Sequence, residues 1–205
     1  MILEAVSVGP MEVNCYILAS GPGSKAIIID PGAETRKIRK VLDKYNLKPA
    51  FIINTHGHYD HIGSDDEFAV DVYVHAKEIA LLKDPVQNFS AIFALPFQVN
   101  AEIKPVEDSQ VIKLDDLELK VLHIPGHSPG GIALVLLKPQ NKIVFTGDTL
   151  FCASVGRTDF PGGDGELLLE GIKEKLLSLS EETIIYPGHG AASTIGEEKR
   201  NNPFF

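Results

Sequence analysis

Three short apolar segments, Ile2–Val8, Val13–Ala19 and Lys25–Asp30, open the chain and are separated by turn-forming Gly and Pro residues. Segments of this length, bounded by turn formers, predict successive strands. The period then changes. Across Glu34–Tyr45 the side chains Ile38, Val41, Leu42 and Tyr45 recur at helical spacing, which predicts an amphipathic helix. Phe51–Asn54 and Asp71–His75 return to strand character, and Ala76–Lys83 reads as helical. Leu117–Ile124, Lys142–Thr146 and Thr183–Tyr186 read as later strands, with Glu166–Ser178 and Ser193–Arg200 as the last helices. Strand–helix halves of this kind suit an α/β protein built as a four-layer αβ/βα sandwich. There is no internal repeat and no low-complexity linker, so residues 1–205 are expected to form one domain.

Composition narrows the class. At 205 residues, 44% hydrophobic and 23% charged, the chain suits a globular protein with one substantial core. A net charge of −9 argues against a nucleic-acid-binding surface, which would show a basic patch. No segment reaches the ~20 apolar residues of a membrane helix, and Met1-Ile2-Leu3-Glu4 lacks the basic start of a signal peptide. The expectation is a soluble, cytoplasmic protein acting on a small molecule, without nucleic-acid or membrane partners. The two cysteines, Cys15 and Cys152, are far apart and nothing requires a disulfide. Both read as packing residues, Cys15 within an apolar strand.

The chemistry concentrates in His56-Gly57-His58-Tyr59-Asp60-His61, directly after the apolar Phe51-Ile52-Ile53. Three imidazoles and a carboxylate at these spacings cannot all face one ion. His56 and His58 alternate toward one, and Asp60 and His61 turn toward a second. Imidazole and carboxylate are donors that zinc, iron and manganese accept without any thiol. A merely polar turn is the bland alternative, but strand ends in α/β proteins are where ligand sites gather. Three further strand-to-loop junctions add His127 in Pro125–Gly131, Asp148 in Gly147–Leu150, and His189 in Pro187–Gly190. Glycine beside each candidate donor permits close approach to an ion.

With these motifs the chain resembles the metallo-β-lactamase fold superfamily, from Asn14-Cys15-Tyr16 and Asp30-Pro31-Gly32 to Pro187-Gly188-His189-Gly190. Gly156–Asp164 is similar to the small, single-domain, glyoxalase II-like branch of metallohydrolases. The resemblance implies that His56, His58 and His127 hold one metal and that Asp60, His61 and His189 hold another. Asp148 would bridge the pair beside a water or hydroxide. Two divalent ions are therefore implied, zinc first, with iron or manganese also admitted. Such ions, roughly 3.5–4 Å apart, lower the pKa of a shared water and polarise an acyl oxygen. Asp60 would also steer the attacking hydroxide, making Asp60 and Asp148 the catalytic pair.

The implied activity is hydrolysis of a thioester such as S-lactoylglutathione. Full-length glyoxalase II carries a C-terminal extension whose basic residues hold glutathione. This sequence ends at Asn201-Asn202-Pro203-Phe204-Phe205, so other acylated thiols, lactones and acyl esters stay open. Persulfide dioxygenases also resemble the chain. They use one iron, and the matching set here is His56, His127 and Asp148. A non-catalytic zinc protein fits poorly, because structural zinc sites are closed and cysteine-rich. The cytoplasmic reading separates the chain from secreted lactamases, as does His61, where one major lactamase class carries arginine.

Other residues have two readings each. Asp30 either orients metal ligands or is a turn carboxylate before Pro-Gly, and Thr149 is a candidate for the same supporting role. Arg157 either grips a substrate carboxylate with its fork or pairs with Asp159 or Asp164. His75 is expected to cap a strand end or face solvent, and His123, close to His127, either supports the metal ligands or is a core or rim histidine. In Asp84–Val99, Phe89, Phe93 and Phe97 recur every fourth residue between Pro85 and Pro96. Core packing is the simpler reading for any one Phe. Together they predict a flap with an apolar face over the metals, excluding water and holding an acyl chain.

Overall fold

A computed structural model describes residues 1–139 and 142–205. Its first sheet begins as an antiparallel meander of β1 (Ile2–Val8), β2 (Val13–Ala19) and β3 (Lys25–Ile29). It continues in parallel through β4 (Lys48–Ile53), β5 (Asp71–His75) and β6 (Ile103–Val106). Parallel neighbours need crossovers. The β3–β4 crossover carries α1 (Thr35–Lys44), whose Ile38 and Leu42 are buried as the periodicity predicts. The β4–β5 crossover carries α2 (Tyr59–Ile62), and the β5–β6 crossover carries α3 (Ile79–Lys83) and α4 (Ser90–Phe93).

The second sheet runs in the order β14-β13-β10-β9-β8-β7. Its strands are β7 (Val111–Leu114), β8 (Leu117–His123), β9 (Ile132–Lys138), β10 (Ile143–Gly147), β13 (Ile184–Pro187) and β14 (Ser193–Thr194). A small hairpin, β11 (Leu150–Phe151) and β12 (Ser154–Val155), leaves β10. The outer helices are α5 (Gly165–Gly171), extended by a wide turn over Ile172–Leu176, and α6 (Ile195–Asn201). Side chains alternate between sheet faces. One face of each sheet meets the other through Leu18, Ile27, Ile53, Leu119, Leu134 and Phe145. The opposite faces pack under α1 on one side and under α5 on the other. This is the expected four-layer sandwich.

Differences from the sequence reading have local causes. β6, β7 and β9 are not anticipated by it. β9 is a run of apolar residues without a period, which a strand and a buried helix share. β6 and β7 are four-residue edge strands with Lys or Pro within them. The last helix starts later than expected because Thr194 caps it, accepting from Glu197 N at 3.2 Å, while Ser193–Thr194 pairs with β13. The Phe stripe breaks. Only Ser90–Phe93 is helical, Phe89 has a left-handed backbone, and Phe97 packs against the core under α1. Cys15 is buried as expected, whereas Cys152 is exposed on the β11–β12 turn rather than packed, and neither is in a disulfide. No helix among the described residues is long and apolar enough to cross a membrane.

Phe145 is fully buried between the sheets, its ring 5.1 Å from Tyr16 and 5.7 Å from Tyr186. Phe145→Ala is expected to cost about 3–5 kcal/mol in chemical denaturation. A loss under about 1 kcal/mol would show that the two sheets do not share a close-packed interior there.

Candidate metal centre

The carboxyl ends of β3, β4, β8, β10 and β13 converge on one rim of the sandwich, and the seven predicted donors lie on the loops that leave them. Donor atoms of His56, His58 and His127 lie within 4.8 Å of one another, and so do those of Asp60, His61 and His189. Asp148 forms a third such group with His56 and His61. Its Oδ1 is 3.4 Å from His61 Nε2, and its Oδ2 is 3.7 Å from His127 Nε2 and 3.6 Å from His189 Nε2. The carboxylate thus faces both histidine sets. Gly188 makes this approach possible, since a Cβ there would lie 2.2 Å from Asp148 Oδ1. Backbone ties hold the sheets together at this rim: Ile132 N donates to Thr55 O at 2.9 Å and Asn14 N to Gly188 O at 2.7 Å.

Ring orientation follows from the outer partners. His127 Nδ1 is 2.8 Å from Arg157 O, and His189 Nδ1 is 2.8 Å from Met11 O. A carbonyl only accepts, so both Nδ1 atoms carry the proton and both Nε2 lone pairs point inward. Asp30 acts on two further rings. It accepts from Thr55 N and Thr55 Oγ1, both at 2.7 Å. Thr55 Oγ1, its proton spent on Asp30, can accept from His56 Nδ1 at 3.2 Å. Asp30 Oδ2 also lies 3.0 Å from His61 Nδ1. Of its two readings, Asp30 therefore has the ligand-orienting one, a geometry typical of groups behind metal-bound histidines. His58 differs, turning Nδ1 to within 3.0 Å of His127 Nε2.

Three of the buried polar atoms without hydrogen-bond partners face the middle of the cluster: His56 Nε2, His61 Nε2 and Asp148 Oδ1. Orphans of this kind are costly in a folded interior. Nitrogen and carboxylate donors aimed at common points fit divalent ions, which would satisfy all three. Electrostatics agrees. Burial, then the neighbouring His61, drives His56 well below the usual histidine range. Burial, then His127, lowers His58 to about 3, so both rings are neutral donors at pH 7. Burial works against the Asp148 carboxylate, yet His61, His127 and His189 more than offset it and hold the group below the usual range. His61 is raised despite its burial by Asp148, Asp30 and Asp60. The cluster thus attracts positive charge around Asp148 and keeps His56 and His58 unprotonated.

One supporting group escapes the sequence reading. Glu78, fully buried, accepts from Gly57 N at 2.7 Å and Gly130 N at 2.5 Å. It clamps the loop bearing His56 and His58 to the loop bearing His127. No sequence signal marks it, because its partners are backbone amides 21 and 52 residues away. His123 and His75 stack at 3.9 Å, and His123 Nε2 lies 3.1 Å from Pro129 O, steadying the His127 turn. His75 is buried and caps a 3-10 turn by accepting from Lys77 N. Thr149 closes the turn after Asp148 through its backbone.

Above the cluster lies a cleft of about 440 Å³ walled by Phe89, Phe93, Phe151, Phe160 and Met11. Phe89 and Phe93 come from the segment expected to form a flap. Arg157 is at the rim, where its Nε and Nη2 both bond Asp159 at 2.7 Å and its guanidinium lies 4.0 Å over Phe160. Of its two readings the Asp159 pair is the one formed. Asp164 instead caps α5.

The family model of the metallo-beta-lactamase superfamily matches residues 8–189. Hydroxyacylglutathione hydrolase GloC of Haemophilus influenzae is 35% identical over 211 residues, covering 100% of this chain and 98% of its own. The crystal structure of BLEG-1 B3 metallo-beta-lactamase is 36% identical with a TM-score of 0.91, covering 99% of both chains. That of TTHA1623 in a di-iron-bound form is 35% identical with a TM-score of 0.85, covering 98% of this chain and 100% of that one.

Asp30→Asn tests the orienting role. An amide offers one acceptor where two donors of Thr55 converge, so ion uptake at both histidine sets should fall at least tenfold in chelator competition. Unchanged uptake would show that Asp30 is only a turn carboxylate.

Proposed function

The chain belongs to the metallo-β-lactamase superfamily, and on that premise we propose that it is a dinuclear metallohydrolase that cleaves a small thioester. The observation that carries the reading is the completeness of two donor sets around one shared carboxylate. His56, His58 and His127 would hold one ion, Asp60, His61 and His189 the other, and Asp148 both. When bound, two such ions supply a water acidic enough to attack at neutral pH and polarise the acyl oxygen. Zinc, iron and manganese all suit these donors, and a di-iron form of a similar protein supports iron beside zinc.

The chain's own residues do the rest. Asp60, 3.4 Å from His189 through its Oδ2, orients the attacking water together with Asp148. The aromatic walls limit competing water. The leaving group follows from what lines the cleft. Apart from the donor residues, its titratable groups are Tyr59 and Arg157. Burial and Asp60 raise the Tyr59 phenol further above neutral, and an arginine does not release its proton. Neither is a general acid tuned to neutral pH, where such acids work best. A thiolate, with a thiol pKa of about 8.5, departs without one, whereas an alkoxide or an amine needs a proton first. This favours a thioester over the β-lactam that the likeness to BLEG-1 suggests. The likeness to hydroxyacylglutathione hydrolase GloC supports the same choice.

The metal-replete protein is expected to contain two ions per chain and to release free thiol from S-lactoylglutathione or a neutral thioester. It should take up no oxygen with glutathione persulfide. One firmly bound iron with stoichiometric oxygen uptake and no thioester cleavage would overturn the proposal in favour of a dioxygenase. Opening of a β-lactam without thioester cleavage would overturn it in favour of a lactamase.

Asp148→Asn should lose most activity and weaken both ions while thermal unfolding of the metal-free protein is little changed. A neutral amide is a poor bridge between cations. Full activity and metal content in this variant would refute the shared role.

A further inference from the structure

The cleft has a neighbour on the far side of Phe93. A second depression of about 390 Å³ shares Met11, Tyr59, Asp60 and Phe93 with it and continues to Val8, Pro10, Ala33, Leu95 and Phe97. The wall between the two is built. Asn88 O accepts from Tyr59 N at 2.8 Å, Asn88 Nδ2 donates to Phe97 O at 3.1 Å, and Ser90 Oγ accepts from Phe97 N at 3.0 Å. The apolar wall is thereby tied to the helix that bears Asp60 and His61. Three large apolar side chains stand exposed along this segment: Ile92 at 63%, Phe93 at 59% and Leu95 at 86%. Clustered exposed apolar groups at the mouth of a cleft mark a surface that a ligand covers.

Charge along this path points the same way. Of the residues lining the two depressions, Arg157 is the one Lys or Arg, and Asp159 already occupies its fork. Beside Asp60, the second depression offers one carboxylate, Glu34, which already accepts from Gly9 N and Lys37 Nζ. A glutathionyl arm brings two carboxylates and an ammonium. On this path they would leave water without partners, which is costly. An aliphatic chain gains from the same surface.

We infer that the thioester hydrolysed here carries an uncharged aliphatic acyl chain, which runs past Phe93 into the second depression. The inference rests on the hydrolase reading above. It assigns Phe93 and Leu95 to chain-length selection and Arg157 to the fold of the rim.

The test is a series of S-acyl-N-acetylcysteamines from acetyl to octanoyl, assayed with the metal-replete protein beside S-lactoylglutathione. From butanoyl onward kcat/KM should rise two- to fourfold per methylene, the upper figure corresponding to about 0.8 kcal/mol for a fully buried CH2. The longer esters should exceed S-lactoylglutathione. Phe93→Ser and Leu95→Ser, at exposed positions, should flatten the rise. Non-cleavable ketone analogues, with CH2 in place of sulfur, should bind more tightly with chain length. A flat series in both turnover and binding overturns the inference and leaves the hydrolase reading intact. So does a preference for S-lactoylglutathione that Arg157→Lys abolishes. Graded binding without cleavage of any thioester supports the chain site and sinks the hydrolase reading alone.

Discussion

One buried carboxylate organises the centre. Asp30 is almost fully buried at the end of β3, with a left-handed backbone at φ 51°. A charge there is tolerable only because its oxygens meet Thr55 N and Oγ1 and His61 Nδ1. Those contacts orient His56 through Thr55 and His61 directly, one ring from each donor set. The parallel pairing of β3 with β4 makes them possible, because it sets the two strand ends side by side. Gly32 completes the arrangement. A Cβ there would lie 1.5 Å from Asp60 O, so only glycine lets the loop after Asp30 close on the loop that carries Asp60.

How much of this was legible depended on whether the signal was local. The spacing of His56, His58, Asp60 and His61 after an apolar run declares a metal run because the information lies within six residues. His127, Asp148 and His189 were readable for a similar reason, each beside glycine at the end of an apolar segment. Glu78 was not, since a glutamate in a helical stretch looks solvated until its backbone partners are known. Asp30 was only half legible, because an Asp before Pro-Gly is equally a turn. The aromatic segment misled in one respect. A four-residue spacing suggested one helical face, but the left-handed Phe89 splits the set, sending Phe89 and Phe93 to the cleft and Phe97 to the outer core.

Both sheets are needed because neither holds a complete donor set. The first sheet supplies His56, His58, Asp60 and His61, and the second supplies His127, Asp148 and His189. Any rotation of one sheet against the other would pull the two sets apart. The inter-sheet core, with Phe145, Leu119 and Ile53, resists this because close-packed interiors deform little. At the rim, Tyr16 Oη donates to Pro187 O at 2.6 Å and Glu78 joins the His56 and His127 loops. Precision at the ions is thus a property of the whole sandwich.

The walls of the cleft obey a different constraint. The donors must be rigid, but the surfaces that meet the substrate need only exclude water and offer the right polarity. They come from connecting segments, 84–97 and 151–160, rather than from the two large sheets. A paired Arg157 at the rim is consistent with this division. Its exposed ion pair with Asp159 adds little stability by itself. What it does is keep the guanidinium over Phe160, whose ring lies 4.5 Å from Phe89. The cation therefore backs an aromatic wall, and the surface facing the cleft remains apolar.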